Sequence, residues 1–482
     1  MLQLYDTATR DKTTFEPLEH GRVRIYSCGP TIWDHAHIGN FRSFLFADVL
    51  KRYLRYCGYE VYHVMNLTDV DDRIVQRVGQ EGISLEEYTE RYAEAFFQDA
   101  EALNIQPADM YPRPSGHIDE MIELIATLIQ RGVAYERDGS VYYSISAFSE
   151  YGAFARLDMA GMRDGARVDT DKYDKDDARD FVLWKAWTEG DGDVCWESPY
   201  GRGRPGWHLE CSAMSMKYLG QVFDIHTGGV DLIFPHHQNE IAQSQGATGE
   251  PFVCRWMHNE FVNIDGIGMS KTEGNNLRLS DIGDRDEIEA FRYLAVTAHY
   301  RSTVNFTAAA LTASKSALSR LRRLRDRLRQ GLSVSNTADS GSPQTDETTD
   351  ETWMDTIAQA RSHFCEGMDD DLNAPKAMAA VFGFVNEAER RSTTTGLNAA
   401  DAKAGADFLE EVDSVLGLFH GRNSERTTEP QALTAELEQL LRQRDEARRS
   451  KDWGEADRLR DELSAAGIDV RDSPEGSEWA WK

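Results

Sequence analysis

Residues 26–40 read YSCGPTIWDHAHIGN, and the fold is organised around this stretch. The apolar residues Val23 and Ile25 predict a short strand that leads into it, and Gly29 and Pro30 predict a turn directly afterwards. A helical pattern and then a second apolar run follow the turn. The stretch therefore predicts a strand, turn, helix and strand unit, in which the start of a helix faces any anion bound above a parallel sheet.

The elements that follow the turn can be given approximate bounds. Apolar residues at helical spacing predict a helix that begins near Phe41 and ends at Gly58, and a strand is predicted over 59–67. Further strands are predicted over 222–226 and 252–257, with a helix over 236–245 between them. These elements predict an α/β fold with a Rossmann-like parallel sheet.

Length and composition limit the class of protein. A chain of 482 residues is too long for one compact core, so two to four domains are expected. The sequence has no apolar run of membrane-spanning length and its first residues lack the pattern of a signal peptide, which predicts a soluble, cytoplasmic protein. Six scattered cysteines argue against a disulfide framework and leave metal binding or simple burial.

The net charge of −29 would normally count against a nucleic-acid partner. At salt concentrations near 1 M the screening length falls to about 3 Å, and an acidic surface then repels a polyanion far less. We interpret the charge as a sign of a halophilic protein from a high-salt cytoplasm. A merely acidic protein is the alternative.

Changes in texture along the chain predict its domain organisation. The acidic string at 169–180 suggests an insertion between two halves of the sheet, and the Ser/Thr/Asp-rich tract 333–352 and residues 421–430 suggest flexible linkers. The arginine-rich helix 319–329 resembles a solvated face, but it is the best local candidate for a phosphate contact. The predicted segments are the first half of the α/β domain (1–115), an insertion (116–194), the second half of the α/β domain (195–255), a region that contains a glycine-rich loop (256–310), a helical bundle (311–420) and a small α+β C-terminal domain (430–482).

Cysteine, histidine and glutamate residues suggest a metal site. Cys28, Cys211 and the run PHHQNE, which contains His236, His237 and Glu240, supply the donor types that zinc prefers. On a helix, either histidine would share a face with Glu240. The donors come from three distant segments, however, and spacing alone favours an unliganded histidine pair with buried cysteines.

Two further stretches suggest phosphate binding. His37 and Asn40 stand at a predicted helix start, where imidazole, amide and backbone N–H groups can donate to a phosphate. Residues 266–276, GIGMSKTEGNN, form a glycine-rich loop with one lysine, Lys271, which suits a group that closes over a triphosphate. Taken alone, the first stretch favours an ordinary helix cap, and the second is equally well an exposed surface loop.

Together these stretches resemble the two signature motifs of class I aminoacyl-tRNA synthetases. Several other segments are similar, in the same order, to the cysteinyl-tRNA synthetase family: NLTDVDDRI (66–74), PGWHLECSAMS (205–215), DIHTGGVDLIFPHHQNEIAQS (224–244), WMHNEFVNIDGIGMSKTEGN (256–275), MDDDLNAPKAM (368–378) and DWGEADRLRDELSAAGIDVRDSPEGSEW (452–479). The resemblance covers nearly the whole chain except the acidic linkers.

The resemblance implies roles for particular residues. One zinc ion per chain would be held by Cys28, Cys211, His236 and Glu240, and it would bind the thiolate of substrate cysteine, which removes the need for a separate editing site. The amino-acid pocket would comprise Cys28, Thr68, Trp207 and Asp231. The ATP site would comprise Gly29, Pro30, His37, Gly39, Asn40, Met269, Ser270 and Lys271, with His37, Asn40 and Lys271 as catalytic residues.

The implied reaction has two steps. L-Cysteine attacks the α-phosphate of ATP to form cysteinyl-adenylate, with Mg²⁺ bridging the phosphates, and a ribose hydroxyl of tRNA(Cys) then attacks the adenylate. The chain is expected to act as a monomer. Gly268 departs from the family pattern, because it occupies the first lysine position of the signature loop, and Lys271 is therefore expected to carry more of the phosphate contact.

Two other functions are compatible with parts of the sequence. A ligase of the mycothiol pathway activates cysteine identically but transfers it to an amino sugar. The helical region that contains residues 368–378 and the terminal domain after Pro430 argue against this function, since a small acceptor needs neither of them. A non-catalytic tRNA-binding or zinc-dependent regulatory paralogue is the other alternative. The presence of His37, Lys271 and all four zinc positions argues against that role.

Overall fold

The computed structural model describes residues 1–157, 180–269, 274–335, 349–394, 396–419, 435–450, 452–465, 468–473 and 476–481. The chain forms two compact units, Met1–Leu418 and Phe419–Lys482. None of the described helices is both long enough and apolar enough to cross a membrane.

The described residues contain fifteen strands and fourteen α-helices. The strands are β1 (Gln3–Asp6), β2 (Asp11–Thr14), β3 (Arg22–Ser27), β4 (Glu60–Met65), β5 (Ala134–Arg137), β6 (Ser140–Tyr143), β7 (Phe181–Ala186), β8 (Gly203–Pro205), β9 (Phe223–Gly229), β10 (Val253–Asn259), β11 (Val262–Ile264), β12 (Ile267–Gly268), β13 (Val304–Phe306), β14 (Ile468–Ser473) and β15 (Gly476–Trp481). The helices are α1 (Ile38–Tyr56), α2 (Asp72–Glu81), α3 (Leu85–Ala102), α4 (Ile118–Gln130), α5 (Trp207–Leu219), α6 (Gln238–Thr248), α7 (Leu279–Ile282), α8 (Arg285–Thr297), α9 (Ala308–Ser335), α10 (Glu351–Asp369), α11 (Ala374–Thr394), α12 (Ala399–Leu416), α13 (Ala435–Arg449) and α14 (Trp453–Ala465).

A four-stranded parallel sheet lies at the centre of the first unit, with strand order β10–β9–β3–β4. Helix α1 crosses from β3 to β4, as the sequence predicts. Every residue of β9 is buried, as expected for a parallel strand covered on both faces. Because the strands are parallel, their carboxyl ends meet at one edge, and the residues that follow them are brought together there.

Two predicted helix starts differ from the structure. Helix α1 begins at Ile38 rather than near Phe41, because His37 caps it. The helix predicted from His236 begins only at Gln238, after a five-residue turn over Ile233–His237. A proline explains this delay, because the residue before a proline is driven into extended conformation, and Phe234, which precedes Pro235, has φ −141° and ψ 132°.

An antiparallel sheet, in the order β5–β6–β7–β8, lies between the two halves of the parallel sheet in sequence. Helix α4 packs in the same core, where its residues Met121, Ile125 and Leu128 are buried. This sheet therefore falls, in chain order, where the sequence predicts an insertion, and the bounds 116–194 stay a prediction. Most of the acidic string 169–180 lies outside the described residues, which resume at Asp180.

The rest of the first unit is largely helical, from α8 to α12. Helix α9 runs on to Ser335 and helix α10 begins at Glu351, so both ends of the tract predicted as a linker are helical, and residues 336–348 lie outside the description. The linker prediction was therefore wrong at both ends of the tract. At its C-terminal end the hydrophobic effect explains the helix, because Trp353 near the start of α10 is fully buried.

The arginine-rich stretch 319–329 belongs to α9, and its leucines are buried as the spacing predicts. Several of its arginines form ion pairs with other helices: Arg320 with Glu389, Arg322 with Glu289, and Arg329 with Glu410. These pairs give the arginines a role inside the helical region. The phosphate contact suggested by the sequence stays a prediction.

The second unit contains helices α13 and α14 and the hairpin of β14 and β15. These two helices and two strands match the predicted α+β composition. Leu441, Leu463 and Val470 form a small core among them. The linker predicted at 421–430 lies outside the described residues.

Candidate zinc and nucleotide site

The carboxyl ends of three parallel strands supply the predicted site. Cys28 follows β3 directly, Thr68 lies shortly beyond β4, and Asp231 lies shortly beyond β9. Helix α5 adds Cys211 to this edge, and helix α6, which follows the turn over Ile233–His237, adds Glu240. The fold thus brings together Cys28 and Glu240, which are 212 positions apart in sequence.

Four predicted zinc ligands meet at this edge. One donor atom from each of Cys28, Cys211, His236 and Glu240 lies within 4.8 Å of the other three. The two sulfur atoms are 4.0 Å apart, and His236 Nε2 lies 3.0 Å from Glu240 Oε1. Cys211, His236 and Glu240 are buried, whereas Cys28 is only half-buried.

The charges of these groups favour a cation. Burial raises the pKa of Cys28 well above its usual range, whereas a hydrogen bond with Cys28 lowers the pKa of Cys211 to about 6. Burial opposes the charged forms of His236 and Glu240, but attraction between opposite charges outweighs it, so the pKa of His236 rises to about 10 and that of Glu240 falls to about 2. Without a metal, the cation of His236 lies beside Cys211 and Glu240, whose charged forms are both anions.

The donor set fits zinc. Two sulfur ligands at about 2.3 Å from a tetrahedral zinc ion are about 3.8 Å apart, close to the sulfur separation of 4.0 Å found here. His236 also has the orientation of a ligand, because its Nδ1 is 2.8 Å from His208 Nδ1 while its Nε2 faces the cluster. A ring held in this way has one nitrogen available for a metal.

Sequence reasoning missed three buried histidines around the cluster: His208, His226 and His258. His226 Nε2 lies 2.9 Å from Glu240 Oε2, and His258 Nε2 lies 2.7 Å from His237 Nδ1. The sequence did hold a signal for each of them. His208 follows the predicted pocket residue Trp207, His226 ends the predicted strand 222–226, and His258 directly follows the predicted strand 252–257.

The part of the edge predicted to bind the nucleotide is the start of α1. His37 accepts a hydrogen bond from the backbone N–H of Asn40, and the Asn40 side chain accepts one from the backbone N–H of His37. These two residues therefore form a capping box, as the helix-cap interpretation predicts. The arrangement also fixes both side chains at a helix N-terminus, where a phosphate is favoured.

Gly39 leaves no room for a side chain beside this cap. A Cβ atom there would lie 2.3 Å from Met269 Cε and 3.0 Å from His37 Nδ1. Met269, the last residue described before the central part of the signature loop, therefore packs against the start of α1. Ser270 and Lys271 lie outside the described residues.

Gly268 is exposed at the end of β12. A Cβ atom there would have only the Asn263 side chain within 4 Å among the described atoms, at 3.9 Å. The glycine is therefore not required by local packing, although the family pattern has lysine at this position.

The predicted pocket residues lie near the two parts of the site. Trp207 begins α5, is partly exposed and stacks on His236 with ring centroids 4.3 Å apart. Thr68 is buried and accepts a hydrogen bond of 2.8 Å from the Asn66 side chain. Burial raises the pKa of Asp231, and His236 and His37 act in the opposite direction.

Gly29 is required by a close approach of two chain segments. A Cβ atom at this position would lie 1.8 Å from the backbone oxygen of Asn66. We expect Gly29→Ala to destabilise the protein by about 1–3 kcal/mol and to reduce cysteine activation, because the overpacked segment moves Cys28. Thermal unfolding and cysteine-dependent pyrophosphate exchange measure the two effects.

Gly79→Ala is the matched control for this change. Gly79 lies in α2, and no described atom would come within 4 Å of its new Cβ. Alanine is favoured over glycine inside a helix by about 0.5–1 kcal/mol, so this variant should be as stable as the parent or more stable. Equal behaviour of the two variants would contradict the steric argument.

The sheet and its edge have the arrangement of a class I tRNA synthetase. Residues 14–316 match the family model for the class I (C) tRNA synthetase catalytic domain. The methionyl-tRNA synthetase of Mycobacterium tuberculosis in complex with methionyl-adenylate shares the fold, with a TM-score of 0.59 and 15% identity over 82% of this chain and 90% of that chain. A putative arginyl-tRNA synthetase of Campylobacter jejuni shares it with a TM-score of 0.55 and 13% identity, covering 84% and 93% of the two chains.

More similar relatives narrow the class to one family. Cysteine–tRNA ligase of Chlamydia pneumoniae is 44% identical over 98% of this chain and 97% of its own length, and that of Brachyspira hyodysenteriae is 42% identical over 99% of both. The chain belongs to the cysteine–tRNA ligase family. Residues 363–420 match a DALR domain, and residues 431–479 match the anticodon-binding domain of cysteinyl-tRNA ligases.

Proposed function

We propose that this enzyme attaches L-cysteine to tRNA(Cys) at the expense of ATP, through a cysteinyl-adenylate. The observation that carries the proposal is the placement of a buried Cys₂HisGlu donor cluster beside a capped helix start at one sheet edge. A metal held by the donor cluster can select a thiol, and the start of α1 can hold a phosphate. Both reacting groups of the activation step would then lie within one cleft.

We assign Cys28, Cys211, His236 and Glu240 as the ligands of one zinc ion. Zinc would supply a soft electrophilic centre that binds a thiolate well and a serine hydroxyl poorly, which gives discrimination that an apolar pocket cannot.

The remaining pocket residues would position the amino acid. Trp207, which stacks on His236, would cover the zinc side of the pocket, and Thr68 would line the opposite wall. Asp231 would accept hydrogen bonds from the α-amino group of the substrate. Burial disfavours the charged carboxylate of Asp231, and the positive charge of that amino group would stabilise it. This arrangement would leave the carboxylate of cysteine directed toward the start of α1.

The ATP phosphates would lie over the start of α1. Gly29 and Pro30 would allow close approach of the backbone, while His37 and Asn40 would stabilise charge on the transferring α-phosphate. The residues Gly39, Met269, Ser270 and Lys271 would complete the site, with Lys271 clamping the β- and γ-phosphates, and Mg²⁺ would supply positive charge that offsets the charge of the phosphates. Catalysis would rest on positioning and charge stabilisation, without a protein nucleophile.

The two C-terminal matches support tRNA as the acceptor. A DALR domain and an anticodon-binding domain have no use in a ligase whose acceptor is a small amino sugar. We retain the six segments proposed from the sequence, with boundaries at 115, 194, 255, 310 and 420. We also propose that the enzyme acts as a cytoplasmic monomer.

One assay separates the candidate functions. The purified protein is incubated with ATP, labelled cysteine and either a tRNA(Cys) transcript or an amino sugar, and the labelled product is measured at low and high salt. We expect cysteine on tRNA only, and no product when serine replaces cysteine. Transfer to the amino sugar would replace the proposed acceptor, and absence of both products from folded protein would refute an enzymatic role.

A further inference from the structure

The donor cluster contains a second set of four ligands. Cys28 and Glu240 also lie within 4.8 Å of donor atoms from His226 and His237, so this set meets the same distance limit as the first. We propose that these four residues form an alternative zinc-binding set, which overlaps the proposed Cys₂HisGlu site along the edge between Cys28 and Glu240. This inference rests on the zinc site of the proposed function and extends it.

His237 has the geometry of a metal ligand. Its Nε2 lies 3.4 Å from Cys28 Sγ, and a sulfur and a nitrogen on one tetrahedral zinc ion are about 3.5 Å apart. Its Nδ1 is 2.7 Å from His258 Nε2, and His258 Nδ1 is in turn 2.8 Å from Thr7 Oγ1. Ligating histidines nearly always have their second nitrogen held in this way.

His226 completes the set from the central strand β9. Its Nε2 lies 2.9 Å from Glu240 Oε2, whereas His236 of the first set contacts the other oxygen, Oε1, at 3.0 Å. Each carboxylate oxygen of Glu240 therefore has one histidine within 3.0 Å, and His237 of the second set lies 3.9 Å from Oε1. A single carboxylate can serve a cation on either side with a small change in its own orientation.

The two sets differ in their chemistry. The first offers two sulfurs, one nitrogen and one oxygen, and the second offers one sulfur, two nitrogens and one oxygen. Soft thiolates favour zinc and other soft ions, whereas imidazoles suit zinc equally well. An ion that moves into the second set keeps Cys28 and Glu240 and leaves Cys211 and His236. The cluster can thus retain zinc after loss of a ligand from the first set.

Substitutions of shared and unshared ligands test this proposal. Zinc per chain is measured after dialysis for Cys28→Ala, Cys211→Ala and the double variant Cys211→Ala/His237→Ala. We expect Cys211→Ala to retain about one zinc, with one sulfur ligand by X-ray absorption instead of two, because the second set remains. Cys28→Ala and the double variant should lose zinc, since each breaks both sets.

His237→Ala alone is the control, and it should keep about one zinc with two sulfur ligands. Thermal unfolding checks that each variant is folded, and Cys211→Ser replaces Cys211→Ala if the alanine variant is not. Equal zinc loss from Cys211 and Cys28 variants would overturn the proposal, as would equal retention by the Cys211 variant and the double variant. Absence of zinc from the parent protein would instead refute the proposed zinc site itself.

Discussion

Cys28→Ala is expected to reduce cysteine-dependent exchange of pyrophosphate into ATP by more than about 100-fold. Loss of a residue that only orients a metal ligand costs about 10- to 100-fold in affinity or activity, and loss of a ligand should cost more. Cys28 belongs to both donor sets, so its loss removes a donor from each of them. Exchange kinetics and zinc content measured on the same preparation test the effect.

Cys57→Ala and Cys254→Ala are the controls for this variant. Both thiols are exposed, and neither belongs to a described group of metal donors. These variants should keep the activity and zinc content of the parent. A Cys28→Ala enzyme with full exchange activity would refute the role of Cys28 as a ligand.

Asp48→Asn is expected to lower the free energy of unfolding by about 3–5 kcal/mol, because removing one member of a buried ion pair leaves uncompensated charge. Asp48 is fully buried in α1, and its Oδ2 lies 2.9 Å from Arg52 Nε and 2.8 Å from Arg292 NH2. Burial favours the neutral acid, but the two arginines outweigh it and lower the pKa of Asp48. Chemical denaturation at neutral pH measures the loss.

Arg292 explains why this change should affect the whole first unit. Its guanidinium also donates to the backbone oxygens of Leu103 and Leu416, so it connects helix α8 with the ends of α3 and α12. The ion pair with Asp48 joins these segments to the helix that begins at the nucleotide site. Loss of the carboxylate leaves two buried guanidinium groups beside each other.

Asp407→Asn is the matched control, because Asp407 also pairs with a cation four residues away on one helix. Its partner Lys403 is 2.7 Å away, but both side chains are largely exposed. Exposed pairs at this spacing contribute about 0.3–0.5 kcal/mol, so the control should be close to the parent in stability. Similar losses in both variants would show that burial does not set the cost of the Asp48 change.

The sequence predicted the central unit well because local and long-range signals agree there. Residues 26–40 contain a turn glycine and a capping pair, and a helical apolar pattern follows them. In the structure, strand β3 precedes the resulting helix, strand β4 follows it, and the two strands pair in parallel. Predictions failed where a proline or a tertiary contact overrides the pattern. Pro235 delays α6 to Gln238, and burial of Trp353 draws the end of the predicted linker into α10.

The sequence by itself determined the chemical types available to this protein: two thiols, neighbouring histidines and a glutamate, and a helix start with His37 and Asn40. Only the tertiary structure decided that the donors meet, because they lie on three segments that the parallel sheet brings to one edge. It also decided that His226 and His237 lie beside the same glutamate as His236. Spacing along a chain specifies neighbours on one element, whereas contacts between elements depend on how strands and helices pack.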